Sequence, residues 1–125
     1  MNVTEAVENY LEAILVLSQS QDEIRATDIC SYMSYSRPTV SIAVKGMKQN
    51  GLIHVDEHNR ISLTEEGLSI AENIYDRHTT IAKVLMLLGV ERAIALEDAC
   101  KMEHDISNQS FSSFKRFLKE NSSKS

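Results

Sequence analysis

The sequence predicts a mainly α chain interrupted by one small β-hairpin. Apolar residues recur at helical spacing over most of the length, and the period shortens to two only around residues 52–63. The punctuation agrees, because Ser36, Gly51, Thr64 and Gly89 stand where such helices would start or stop.

Val7, Leu11, Ile14, Leu15 and Leu17 mark one face of an amphipathic helix from Thr4 to about Ser18, with Thr4 as N-cap. The polar stretch Gln19–Glu23 reads as a connection. Thr27–Met33 is a short helix that turns Ile29, Cys30 and Met33 inward. Ser34-Tyr35 forms the turn, and Ser36 caps the next helix. Pro38 is tolerated in that helix's first turn, where its missing N–H would have no helical acceptor. Val40, Ala43, Val44 and Met47 give this helix its buried stripe, and Gly51 stops it. Leu52, Ile53 and Val55, then Ile61 and Leu63, flank the polar turn Asp56–Arg60 and read as the hairpin. Thr64-Glu65-Glu66-Gly67 opens a long helix through Ile70, Ile74 and His78 toward Leu88, ended by Gly89. A helix from Glu91 or Ala95 to Glu103 and a last one near Ser107–Lys119 follow, then a frayed polar tail at Asn121–Ser125. We place the domain division at 1–63 and 64–125.

Apolar content of 42% and charged content of 25% are ordinary for a soluble globular protein. Runs such as Ala13–Leu17 and Val84–Val90 are too short for a membrane span. No basic-then-apolar leader opens the sequence, so a cytoplasmic location is expected. Cys30 and Cys100 do not make a disulfide framework and are expected as free thiols.

The formal net charge of −5 argues at face value against a nucleic-acid partner. Its distribution argues the other way. From Ser34 to Asn50 stand three basic residues, Arg37, Lys45 and Lys48, and no acidic one. Acid gathers at Glu5, Glu8 and Glu12 and around Glu97, Asp98, Glu103 and Asp105. Helix, short turn, helix and two-stranded hairpin make a winged helix-turn-helix, whose second helix enters the major groove. Thr27, Ser36, Thr39 and Ser41 are short donors for phosphates or base edges, beside Pro38, while Arg37, Lys45 and Lys48 supply charge. Arg60 on the hairpin is expected to reach an adjacent phosphate. The competing reading is a helical hairpin used only for packing.

Cys100, Glu103 and His104 carry the other chemical signal. On a helix they stand at i, i+3 and i+4, about 5–6 Å apart on one face. Thiolate, carboxylate and imidazole form a donor set for a divalent transition metal. The competing reading is a solvated helix face.

In order along the chain, the sequence carries Glu8-Asn9-Tyr10-Leu11-Glu12, Ser36-Arg37-Pro38-Thr39-Val40-Ser41 and Gly51-Leu52-Ile53. Leu63-Thr64-Glu65-Glu66-Gly67, Arg77-His78 and Cys100-x-x-Glu103-His104 followed by Ser107 come after them. In this order they resemble the diphtheria toxin repressor family of metal-dependent regulators, nearest its manganese transport regulator branch. The resemblance implies a winged helix-turn-helix DNA-binding domain and a helical metal-binding and dimerisation domain. It implies a homodimer that grips a palindromic operator when metal is held between the two domains. Carried over by position, Asn9, Glu12, His78, Cys100, Glu103 and His104 fall on the family's metal-binding positions.

Several positions depart from the family's pattern. Asn9 replaces the aspartate usual in the manganese branch, and Cys100 follows the iron branch while Glu12 follows the manganese one. Ala82 and Leu96 cannot supply ligands that relatives carry there, and no further C-terminal domain is expected, so a second metal site of the iron-repressor type is not expected. A thiolate favours softer ions, whereas two carboxylates and an amide oxygen suit Mn(II) or Fe(II). The expected cofactor is therefore Mn(II) or Fe(II), with Zn(II) or Co(II) also binding in vitro. Rival readings are a regulator that senses thiol oxidation through Cys30 or Cys100, a zinc hydrolase using Glu103 or Glu12, and an interaction module. No catalytic residue is assigned, and the chain is not expected to be an enzyme.

Overall fold

The computed structural model describes residues 3–122. Six helices and one hairpin occur among them: α1 Glu5–Ser18, α2 Ala26–Met33, α3 Arg37–Gln49, β1 Ile53–Val55, β2 Ile61–Leu63, α4 Glu65–Leu87, α5 Arg92–Met102 and α6 Asn108–Ser122. They form two compact units, which divide at Glu72/Asn73 inside α4.

In the first unit, Thr4 caps α1 by accepting a hydrogen bond from the Val7 N–H at 3.2 Å. α2 starts one residue before the expected Thr27, because the Asp28 carboxylate accepts the Arg25 N–H at 2.8 Å and fixes that end. Ser34 closes α2 in the left-handed region at φ 59°, and the Tyr35 N–H returns to the Cys30 carbonyl at 3.2 Å. Tyr35 sets its ring edge-on to Tyr10 of α1, with centroids 5.9 Å apart. Ser36 caps α3 as expected, with Pro38 in the first turn.

Val40 and Met47 are buried on α3, while Ala43 and Val44 pack half-buried against the same core. That core gathers Leu11 and Ile14 of α1, Ile29 of α2 and Leu52, Ile53 and Ile61 around the hairpin. β1 and β2 pair antiparallel with Ile53 opposite Leu63 and Val55 opposite Ile61. The Ile61 N–H donates to the Ile24 carbonyl at 2.7 Å, tying the hairpin to the segment before α2. Ile24 is itself buried, a core residue hidden next to a polar connection in the sequence.

Thr64 opens α4. Its hydroxyl accepts the Gly67 N–H at 3.1 Å and donates to the Gly51 carbonyl at 2.8 Å. Gly67 is required there by space, since a Cβ would lie well inside van der Waals contact with the Leu52 carbonyl oxygen. Gly89 ends α4 at φ 100°, as its position suggested.

The second unit packs the remainder of α4 with α5 and α6. Ile81 and Ala82 of α4 meet Ala99 of α5, with Leu96, Met102, Ile106 and Phe114 around them. α6 runs past the expected Lys119 to Ser122, and Asn121 donates to the Phe117 carbonyl at 2.7 Å. Asn121 and Ser122, expected in a frayed tail, are helical, and residues 123–125 of that tail lie outside the described residues. No described helix is long and apolar enough to cross a membrane.

Candidate metal centre and nucleic-acid interface

In the second unit, Glu103 follows α5 as its C-cap and keeps helical backbone angles, φ −60° and ψ −26°. Its side chain is 0% exposed. Oε2 lies 2.9 Å from Nδ1 of His78, which projects from α4. Oε1 lies 3.4 Å from Nε2 of His104, whose side chain is 3% exposed, yet Oε1 makes no hydrogen bond. A solvated face is therefore the wrong description of Glu103 and His104. Cys100, on the preceding turn, is exposed.

This arrangement has a definite chemistry. Burying a carboxylate is costly unless charge or hydrogen bonds compensate it, and here Oε1 has no hydrogen bond. An imidazole nitrogen lies beside each oxygen of the carboxylate, and these are donor types that divalent transition ions take. The residues fit a metal ion.

Arg77, one residue before His78, is 8% exposed and holds the backbone beneath this cluster. Its Nη1 donates to the carbonyls of Glu103 at 3.1 Å and Ile106 at 2.8 Å, and its Nη2 donates to Asn108 Oδ1. The guanidinium lies over the Phe111 ring, 5.2 Å from its centroid. A cation on the last carbonyls of α5 also suits the negative end of that helix. Sequence reading used Arg77 only as a family sign and missed this clamp. Asn9 and Glu12 lie half-buried on α1, in the first unit.

The same unit carries the candidate nucleic-acid interface. Arg37, Pro38, Thr39, Ser41, Lys45 and Lys48 are all exposed on α3, and Thr27 is exposed at the start of α2. The Ser36 hydroxyl is engaged at the cap, accepting the Thr39 N–H at 3.4 Å and donating to Thr39 Oγ1 at 2.8 Å. A cleft of about 250 Å³ runs between Thr27, Arg37 and Asn59, and Arg25, which the sequence reading passed over, shares its wall. The only sequence sign of Arg25 was a basic residue just ahead of Thr27.

Arg60 is not simply an outstretched cation. Its Nε meets Asp56 Oδ2 at 2.7 Å and its Nη1 meets Glu23 Oε1 at 3.1 Å, while Arg25 pairs with the other Glu23 oxygen at 3.2 Å. Hydrogen bonds from Arg60 and Arg25 hold the Glu23 carboxyl below its usual range. The Arg60 backbone N–H, then its side chain, does the same for Asp56. His54 and His58 are exposed.

A helix-turn-helix with a wing, followed by a helical unit with a carboxylate buried among imidazoles, defines a winged-helix regulator of the metal-responsive class. The chain belongs to the iron-dependent repressor family, the family of the diphtheria toxin repressor, whose members are metal-dependent transcriptional repressors. Residues 2–60 match the N-terminal DNA-binding domain of iron-dependent repressors, and residues 64–124 match their metal-binding and dimerisation domain.

The transcriptional regulator MntR of Escherichia coli O6:H1 is 32% identical over 96% of this chain and 77% of its own length. An HTH-type transcriptional regulator of Methanocaldococcus jannaschii is 30% identical over 93% of this chain and 94% of its own. Among solved structures, the manganese regulator SloR aligns with a TM-score of 0.79 and 30% identity, over 95% of this chain and 55% of that one. The chain spans about half the length of such solved structures. These relatives lend no support to sensing through Cys30 or Cys100.

Proposed function

We propose that this chain represses transcription as a homodimer on a palindromic operator, in response to Mn(II) or Fe(II), and so serves metal homeostasis in the cytoplasm. The supporting observation is the buried Glu103 carboxylate, with an oxygen lacking a hydrogen bond, set between His78 and His104. His78, Cys100, Glu103 and His104 would hold the ion, with Asn9 and Glu12 of the first unit completing its ligands. A bound divalent cation supplies the positive charge that this cluster of acceptors lacks. Binding is the whole chemistry, and no residue here is assigned a catalytic task. Thr27, Ser36, Arg37, Pro38, Thr39, Ser41, Lys45 and Lys48 would face the operator. Arg60 contributes by fixing the wing through Asp56 and Glu23, with any phosphate contact made from that anchored position.

Linking ligands from both units through one ion would make metal and operator binding mutually reinforcing, each raising the other's affinity by the same factor. The thiol of Cys100 pulls the preference toward softer ions and the oxygen donors toward Mn(II), which is why the iron and manganese responses must be measured side by side. The test is fluorescence anisotropy of a labelled palindromic duplex, titrated anaerobically with Mn(II), Fe(II), Zn(II) and Co(II). Glu103→Gln keeps the shape of the side chain and removes its charge. This variant and His104→Ala should remain dimeric and lose metal-stimulated binding, whereas a full metal response in either would refute the assignment.

A further inference from the structure

Ile42 is 75% exposed, the most exposed large hydrophobic residue among those described, and it sits in the middle of α3. At 3.6 residues per turn it lies about 160° around the helix from Val40 and about 140° from Met47, the two residues that bury the opposite face. The outermost ridge of α3 is therefore Pro38, Ile42 and Lys45, at i, i+4 and i+7. An apolar side chain at the crest of a helix costs solubility and contributes nothing to the core. It also cannot bind a phosphate. Around it the helix carries only positive charge, with Arg37, Lys45 and Lys48 and no acidic residue from Ser34 to Asn50.

Resting on the operator-binding reading above, we propose that Ile42 is a specificity-determining residue that reads a thymine by apolar contact with its 5-methyl group. The basic residues beside it fix the occupant as duplex DNA, because they complement phosphates that flank a groove on both sides. Within the major groove the thymine methyl is the one apolar feature a base edge presents. The side chains next to it, Thr39 and Ser41, are short, so the branched Ile42 side chain stands above them.

The experiment selects binding sites from a randomised duplex library with the full chain and Mn(II), then replaces each selected thymine in turn by deoxyuracil, which lacks only the methyl. The wild type should lose about fourfold in affinity per half-site at one thymine, the worth of one buried methyl. Ile42→Ala should bind the thymine and deoxyuracil duplexes equally, and Ile42→Gln should select a different base at that position. Since Ile42 is exposed, both variants should unfold at the wild-type midpoint. A wild type indifferent to every deoxyuracil, with a clear selected site, overturns the role of Ile42 and leaves the repressor reading intact. Failure to select any site overturns the repressor reading itself, and this inference with it.

Discussion

Arg77→Leu should be among the most damaging single changes to the second unit. Leucine fills much of the same space but gives no donor to the carbonyls of Glu103 and Ile106 or to Asn108. Asn108 is exposed and can turn to water, so its loss costs little. The Glu103 carbonyl belongs to a fully buried residue, and the Ile106 carbonyl to a half-buried one. Leaving a buried acceptor unpaired costs about 1–3 kcal/mol, and the lost contact with Phe111 adds about 0.5–1 kcal/mol. Against this stands the relief of no longer burying the guanidinium, whose Nε makes no hydrogen bond. A net loss of about 2–4 kcal/mol is expected, read as a fall in the urea midpoint without metal. A second readout separates positioning from bulk stability. Arg77→Lys keeps the charge but not the fork of donors, so it should weaken Mn(II) binding by more than its stability loss predicts. A urea midpoint shift worth under about 1 kcal/mol for Arg77→Leu would refute the clamp.

Gly67→Ala should destabilise the first unit by about 2 kcal/mol, because overpacking against the Leu52 backbone outweighs the better helix propensity of alanine; an unchanged urea midpoint would contradict this. Glu23 and Asp56 both have carboxyls held low in the folded state, so their contribution to anchoring the wing is present above their unfolded pKa values and is lost as pH falls through the folded ones. Carboxyl NMR titration of Arg60→Leu should move Glu23 toward the ordinary carboxylate range and Asp56 less, because leucine keeps the backbone N–H that holds Asp56 low. An unmoved Glu23 would show that the Arg60 side chain is not the cause.

The elements legible in the sequence are those set by local chemistry. Thr4, Ser36 and Thr64 cap where a short hydroxyl must cap, and Gly89 stops α4 where a positive φ is needed. What escaped depends on partners far along the chain. Arg60 looked like a cation free for phosphate, but one of its carboxylates, Glu23, stands 37 residues earlier. Arg77 looked like half of a dipeptide sign, yet its acceptors lie 26 to 31 residues on. Glu103 was named as a candidate ligand, but its burial was harder to see, because a carboxylate at i+3 from an exposed cysteine fits a solvated face as well as a metal centre. A signal was present nonetheless: Ala95, Ala99 and Glu103 stand at i, i+4 and i+8, and all three are fully buried. Two alanines let α5 approach its neighbours closely, and the line they draw carries Glu103 inward with them.

The same distinction between a charge and an available charge resolves the conflict between an acidic chain and a DNA partner. Arg25 and Arg60 are neutralised within the first unit by Glu23 and Asp56, so they hold the wing in place. Arg37, Lys45 and Lys48 make no ion pair among the described residues and keep their full attraction for phosphate. Counterion release depends on cations that meet phosphates, not on the net charge of the chain. An excess of acid elsewhere therefore leaves the exposed face of α3 basic. One of those acids, Glu103, is buried with an oxygen that lacks any hydrogen bond. The repressor reading joins both conditions: a face whose cations make no ion pair among the described residues, and a buried carboxylate with an oxygen that makes no hydrogen bond.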